Sequence, residues 1–359
     1  MKATRIISLV LAITMLCTAC GSRVSSEENV PDEEKRVFVD SCGREVLVDK
    51  EITKVALSGT LAQIVVFALA PEKMVGLVSE WDSMAKEYLA TEYYQMPVIG
   101  QLYGGKGEIN LEELLAVAPQ LVIDIGEAKE GMAEDLDALQ QQTGIPFVHI
   151  DAYLDNTAEM FRIVGELLGA EEQAEKLATY WTTHFDMVND ILAEVGESKA
   201  ELLYIAGDEG LNVIANGAYH SEVIDMFSNN IAIVENPSSK GTGNEVDMEQ
   251  LLMWNPQYLI FDSESIYDQV AERPEWQNMD AVKAGRYYEV PAGPYSWLGF
   301  PPSVQRILGM MWMEQLFYPE YCDFDLKAAV KEYYSLFYHC ELTDAQYEAL
   351  VANSLGKVG

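Results

Sequence analysis

The chain has 359 residues, 49% of them apolar, and sets 58 acidic side chains against 23 basic ones for a formal charge of −35. That length suffices for two ordinary domains with separate cores. So acidic a surface argues against nucleic acid and against anionic lipid, both of which are bound through basic side chains, and points to a basic protein surface or a cation as partner.

Lys2 and Arg5 make a charged start, Ile6 to Leu16 an apolar core too short for an ordinary membrane-spanning helix, and Thr18-Ala19 lead into Cys20. The segment resembles a bacterial lipoprotein signal, in which cleavage precedes a cysteine that takes the lipid. It departs from that pattern at Cys17, where leucine is usual, and a plain secretory signal is the alternative. Cleavage at 19 removes two basic residues and leaves 21 against 58 acidic, a charge of −37. Residues 20–36 then read as a flexible polar tether. No later apolar run is long enough to cross a membrane. Cys42, Cys322 and Cys340 remain, an odd number without metal-ligand spacing. A Cys322–Cys340 bridge suits an exported protein, but the spacing does not require it.

Residues 37–155 read as a first α/β lobe. Val37 to Val48 alternates around a Cys-Gly turn as a hairpin, Lys54 to Leu57 is a buried strand, and Ser58-Gly-Thr60 caps a helix over Leu61 to Leu69. Lys73 to Val78 is the next strand. Asn110-Leu-Glu-Glu-Leu-Leu-Ala-Val-Ala-Pro-Gln-Leu-Val-Ile-Asp-Ile-Gly126 then has the form of a capped helix, a proline stop and a buried strand. The chain repeats that form at Asp247-Met-Glu-Gln-Leu-Leu-Met-Trp-Asn-Pro-Gln-Tyr-Leu-Ile-Phe-Asp-Ser263, with Glu112 matching Glu249. Asn110 with Glu113, and Asp247 with Gln250, fit a reciprocal capping box. Two copies of one helix–strand unit imply two similar lobes.

From Thr157 the apolar spacing becomes helical, breaks at Gly169 and resumes to Leu192, so residues 156–196 read as a helical bridge. The second lobe, residues 197–318, opens with the strand Glu201 to Ile205. It continues through a helix over Ser221 to Phe227, a polar loop over Asn236 to Asn244, the second capped unit and a helix over Ser303 to Tyr318. Residues 319–359 form an aromatic-rich helical extension.

The small hairpin with Asp40-x-x-Gly43-Arg44, the Val55-Ala-Leu-Ser58 strand, the helix ending Phe67-Ala-Leu69 and Lys73-Met-Val-Gly-Leu77 together resemble the class III periplasmic-type solute-binding proteins. Both capped units and Ala281-Val-Lys-Ala-Gly-Arg-Tyr-Tyr-Glu-Val290 fit the same pattern, so the resemblance spans residues 37 to 318. It implies two α/β lobes joined by a long rigid inter-domain helix, with the ligand cleft between them. It also implies a receptor of an ABC importer, taking an iron–siderophore complex, haem or cobalamin. In that family, glutamates at the positions of Glu112 and Glu249 dock to arginines of the membrane permease.

No catalytic motif stands out, since carboxylate pairs are plentiful in so acidic a chain. The expectation is therefore a non-enzyme without a cofactor. His149, His184 and His339 read as structural or solvent-facing. His220 lies at a loop-to-helix entry facing the cleft, where capping competes with ligation. Loops at strand ends single out Trp81, Met84 and Tyr103 in lobe one, and Tyr219, His220, Lys240, Tyr295 and Trp297 in lobe two. Aromatic walls suit a bulky chelate, and Arg306 or Lys240 suits an anionic one. The expected partners are a small metal chelate (iron–siderophore, haem or corrinoid), a permease, and the membrane through a lipid on Cys20, with no nucleic acid. A receptor for bare zinc or manganese and an exported two-lobed enzyme are the alternatives.

Overall fold

A computed structural model describes residues 34–81, 83–102 and 109–355. The signal segment, Cys20, most of the tether and Tyr103 lie outside the described residues. The chain opens with an antiparallel hairpin, β1 (Lys35–Val39) and β2 (Glu45–Asp49), which pairs Val37 with Leu47. Its alternation is the expected one: Val46 and Val48 are buried, whereas Val37, Val39 and Leu47 face outward.

The first lobe holds the parallel strands β3 (Val55–Leu57), β4 (Leu121–Gly126) and β5 (Phe147–Asp151). Single bridges at Met74 and between Leu77 and Val98 widen the sheet beyond β3. Every residue of β4 is buried, because helices cover both faces of a parallel sheet. On one face lies α1 (Thr60–Leu69), buried along nearly its whole length. A short α2 (Thr91–Tyr94) lies in the segment that follows. On the other face, α3 (Leu111–Val117) and α4 (Met132–Thr143) bury Leu114, Met132 and Leu136 against Val122 and Phe147.

The stretch read as one bridge is two helices, α5 (Thr157–Leu168) and α6 (Glu171–Val195). Gly169, at φ 65°, ends α5 in the left-handed region and turns the chain back on itself. The two helices approach so closely that a Cβ on Gly165 would fall 2.3 Å from that of Ala174. Only α6 is long enough to bridge the lobes, at about 1.5 Å rise per residue.

The second lobe places β6 (Glu201–Ala206) at the centre of its sheet. A two-residue β7 (Asn212–Val213) pairs with it in antiparallel fashion, and β8 (Asn229–Asn230) pairs in parallel fashion after α7 (Glu222–Phe227). Next come β9 (Asn244–Glu245), α8 (Met248–Trp254), β10 (Tyr258–Phe261), α9 (Asp280–Lys283) and β11 (Tyr287–Glu289), giving the order β11-β10-β6-β7-β9. The lobe closes with α10 (Arg306–Phe317), whose first nine residues are all buried.

The repeated unit is α3–β4 in one lobe and α8–β10 in the other. Asn110 accepts hydrogen bonds from the N–H groups of Glu112 and Glu113, and Asp247 accepts one from Gln250. The reciprocal half of the predicted capping box is not made. At the first copy the reason is plain: the Asn110 N–H already donates to the Ile99 carbonyl at 2.8 Å. A full box forms instead at Thr343 and Gln346. Each repeated helix ends on a left-handed residue just before its proline, Ala118 at φ 46° and Asn255 at φ 39°.

The extension is woven into both lobes. In α11 (Leu326–Phe337) and the turn after it, Tyr333, Tyr334, Phe337 and Tyr338 are buried; α12 (Asp344–Leu350) follows. His339 Nε2 bonds the Phe67 carbonyl at 3.0 Å, and Gln346 donates to the Glu87 carbonyl at 3.3 Å, both in lobe one. Tyr334 donates to the Gly293 carbonyl and Asn353 to Glu289 at 2.6 Å, both in lobe two. Cys42, Cys322 and Cys340 are free thiols, so no Cys322–Cys340 bridge forms.

Candidate functional site

The two lobes meet at the carboxyl ends of their central strands, where ligands of open α/β sheets are held. A narrow cavity of ≈ 10 Å³, room for about one water molecule, lies between them, lined by Leu61, Val65, Ile125 and Ala152 of lobe one and by Thr157 and Met160 of α5. From lobe two it is lined by Pro302, Ser303, Val304 and Arg306. Its walls are therefore largely apolar, and Arg306 supplies the charge.

Arg306 stands at the start of α10 and is 3% exposed. Its Nε donates to the Ser303 carbonyl at 3.3 Å, and its Nη1 pairs with Glu222 at the start of α7. The guanidinium also lies over the Tyr219 ring, 5.4 Å from its centre. The Tyr219 hydroxyl crosses to lobe one and donates to the Ala152 carbonyl at 2.8 Å, while its ring meets Tyr153 edge-on at 5.9 Å. Burial pushes the Tyr219 phenol up to about 12, with the Arg306 charge pulling the other way, so it remains a donor at neutral pH.

His220 follows in sequence. Its Nδ1 is 2.8 Å from the Gly299 carbonyl and so carries the hydrogen, which leaves Nε2 as the acceptor. Burial lowers its pKa, outweighing the Gly299 bond, and the Arg306 charge adds to the lowering; the ring is neutral at pH 7. Phe300 lies tilted against it at 5.7 Å and is edge-on to Tyr204, whose hydroxyl donates to Asp262 at 2.9 Å. Burial drives the Asp262 carboxyl up to about 6.

Beneath the first lobe's half of the cleft lies a second polar cluster. Ser58 donates to Asp124, His149 Nδ1 bonds the same carboxylate at 2.6 Å, and His149 Nε2 bonds Asp151 at 3.0 Å. His149 is fully buried. Burial works against its charged form, but the bonds and charges of Asp124 and Asp151 prevail and its pKa is raised.

Of the residues singled out in the sequence, Tyr219, His220 and Arg306 come together at the cleft. Trp81 and Tyr295 also meet, 5.8 Å apart, in an aromatic seam that includes Phe67 and Tyr93. Trp81 is 7% exposed and donates to the Tyr93 carbonyl, so it is largely packing. Trp297 is fully buried, and its ring is away from the cavity lining. Met84 is exposed on a short 3-10 turn. Lys240 is exposed on the polar loop, whose next residue, Gly241, approaches the rings of His220 and Phe300. Glu112 and Glu249 are exposed on α3 and α8. Sequence reading missed Glu222, Tyr153, Asp124 and Asp262. The three carboxylates gave no signal of their own in a chain with 58 acidic residues, and only folding sets them beside their partners. Among the described residues, no group of three His, Cys, Asp or Glu side chains is arranged to hold a metal ion.

The periplasmic binding protein family matches residues 55–294, a span that takes in most of both lobes. Among curated relatives, the Fe(3+)-citrate-binding protein YfmC of Bacillus subtilis is 25% identical over 305 residues, 80% of this chain and 89% of that one. The ABC transporter substrate-binding lipoprotein YvrC of the same organism is 21% identical over 296 residues, 79% of this chain and 88% of that one. Among solved structures, an ABC transporter solute-binding protein from Sulfurospirillum deleyianum superposes with a TM-score of 0.80 at 25% identity. That match covers 88% of this chain and 98% of that one.

Proposed function

The chain belongs to the periplasmic binding protein family, and from that premise we propose that its ligand is an anionic iron chelate. The protein is an extracytoplasmic solute-binding receptor of an ABC importer and not an enzyme. It captures a small ligand between its lobes and passes it to the permease. What supports an anionic ligand is one observation: in a chain of net charge −35, the charged group lining the inter-lobe cavity is a cation, Arg306. A planar guanidinium among apolar walls suits a carboxylate- or catecholate-coordinated metal, because its fork matches such oxygens. Ferric citrate heads the candidates, since a relative is named for it; a catecholate complex, haem and a corrinoid follow. Tyr219, Tyr153 and His220 would supply the aromatic wall.

Titration of the full mature chain with ferric citrate, a ferric catecholate, haem and cobalamin tests this, read by tryptophan quenching and by visible absorbance. Saturable one-to-one binding of an anionic iron complex is expected. Quenching by none of them, or by neutral ligands alone, rejects the assignment and leaves the receptor fold standing.

Two further parts of the reading are our own. A lipid on Cys20 would hold the receptor to the outer face of the cytoplasmic membrane, with residues 20–36 as tether; incorporation of labelled palmitate that Cys20→Ala abolishes would establish it. Glu112 and Glu249 would dock to basic residues of the permease. Among the described residues neither carboxylate has an ion-pair or hydrogen-bond partner, and the two stand at matching places in the repeat. Replacing both with alanine should abolish uptake yet spare ligand affinity.

A further inference from the structure

We infer that docking to the permease is anchored by two apolar side chains, Leu115 and Met253, each one helical turn beyond its lobe's docking glutamate. The inference rests on the docking reading of Glu112 and Glu249 and adds to it a part that charge alone does not supply.

A single exposed apolar side chain is ordinary on a protein surface; what singles out Leu115 and Met253 is that each shares a helix face with its lobe's docking glutamate. On α8, Glu249 and Met253 are the exposed residues, and the helix turns every other position at least partly inward. Met253 is 73% exposed, the highest value among the large apolar side chains described. Positions i and i+4 share a helix face, so the carboxylate and the thioether are presented together. On α3 the same pairing recurs with a spacing of three, Glu112 with Leu115, the latter 50% exposed.

The two helices are the copies of the repeated unit, and each buries the leucine that faces its own sheet, Leu114 and Leu251. In neither copy is the exposed apolar residue needed by the lobe. Nor is it the same residue of the repeat: Leu115 matches Leu252, which is partly buried, and Met253 matches Ala116. The alignment of the two units therefore does not by itself account for an apolar side chain beside both glutamates, whereas a shared contact does.

The partner this fits is the importer's permease, presenting a basic side chain bordered by an apolar depression to each lobe. The carboxylates would steer encounter with a basic surface, being long-range and sensitive to salt. The apolar pair would hold the complex once formed. Methionine adapts to irregular surfaces, which suits a contact made and released in every transport cycle.

The test compares three double variants of the full mature chain for binding to the purified importer in nanodiscs, over a range of salt. They are Leu115→Ser with Met253→Ser, Glu112→Ala with Glu249→Ala, and Val37→Ser with Leu47→Ser as an exposed apolar pair elsewhere. Ferric citrate titration and melting curves confirm that each variant is folded. The Leu115/Met253 variant should dissociate about tenfold faster or more, with an unchanged salt slope, as loss of buried apolar area requires. The glutamate variant should associate more slowly and lose salt dependence, and the hairpin variant should match wild type. If the Leu115/Met253 variant binds within twofold of wild type while the glutamate variant fails, docking through the glutamates stands and the apolar anchors are wrong. If neither variant changes binding, both readings fall.

Discussion

The hydroxyl of Tyr219, in the second lobe, donates to the carbonyl oxygen of Ala152, in the first, across 2.8 Å. It is a side-chain bond between lobes at the cleft itself, and it sits on the ring that Arg306 covers. Tyr219→Phe keeps the ring and removes the bond. A net hydrogen bond is worth about 1 kcal/mol, so ligand affinity should fall by about fivefold while the melting temperature changes little. Equal affinity in the two proteins would show that the bond takes no part in closure.

Arg306 and Glu222 offer a test of opposite signs. Arg306→Gln should lower affinity for ferric citrate by about tenfold or more, since a charge-assisted fork is lost. Glu222→Gln removes a competing carboxylate and should raise that affinity several-fold, as the guanidinium is then shared with the ligand alone. Calorimetric titration of both, with the double variant, separates a binding role from a folding one. Parallel losses in the two single variants would make the pair merely structural.

His149 predicts a pH dependence of stability. Its folded-state pKa is raised by Asp124 and Asp151, so the stabilisation from its charged form is complete below about 6.5, the unfolded value. That stabilisation is lost as pH rises through the folded value. Denaturant titrations between pH 5.5 and 9 should show this decline in wild type. His149→Gln should be less stable at pH 5.5 and should lack the decline that His149 contributes.

Glu314 points the same way by a different route. It is fully buried in α10, neither carboxyl oxygen has a partner among the described residues, and burial pushes it up to about 8. The neutral acid costs nothing extra below about 4.5, and the cost of holding it neutral while the unfolded chain ionises grows as pH approaches 8, to roughly 4 kcal/mol. Glu314→Leu should therefore be more stable than wild type at pH 8, with the gain shrinking toward pH 5. A loss of stability at both pH values would mean that the carboxyl has a role that its surroundings do not reveal.

Ala118 and Asn255 occupy equivalent left-handed positions, yet alanine pays for that geometry and asparagine hardly does. Ala118→Gly should stabilise the protein by up to about 1 kcal/mol, while Asn255→Gly should be neutral or slightly destabilising. Thermal unfolding of the two variants side by side checks the contrast.

The sequence carried the repeat plainly, because a capped helix, a proline and an apolar strand are local patterns that survive without tertiary context. Both copies fold as read, apart from the reciprocal cap bonds, whose donor at Asn110 is taken by Ile99. The helical bridge was legible as helix but not as a turn-back, since Gly169 marks a break without saying which way the chain leaves it. Arg306 and Glu222 are 84 residues apart, and no local periodicity joins them. The buried cluster of Ser58, Asp124, His149 and Asp151 draws on three strands that only sheet order brings together. Trp297 illustrates the opposite error. Its place on a loop singled it out as a ligand contact, yet its side chain is completely buried.

The C-terminal extension bonds Phe67 and Glu87 on one lobe and Glu289 and Gly293 on the other. A wide parting of the lobes would have to break these bonds together, so a hinge laced in this way leaves little travel between empty and loaded receptor. An importer meeting both species could not tell them apart by a large swing of their outline. It would have to read occupancy at the rim of the cleft, from the ligand's own charge or from small shifts in how far apart α3 and α8 are held.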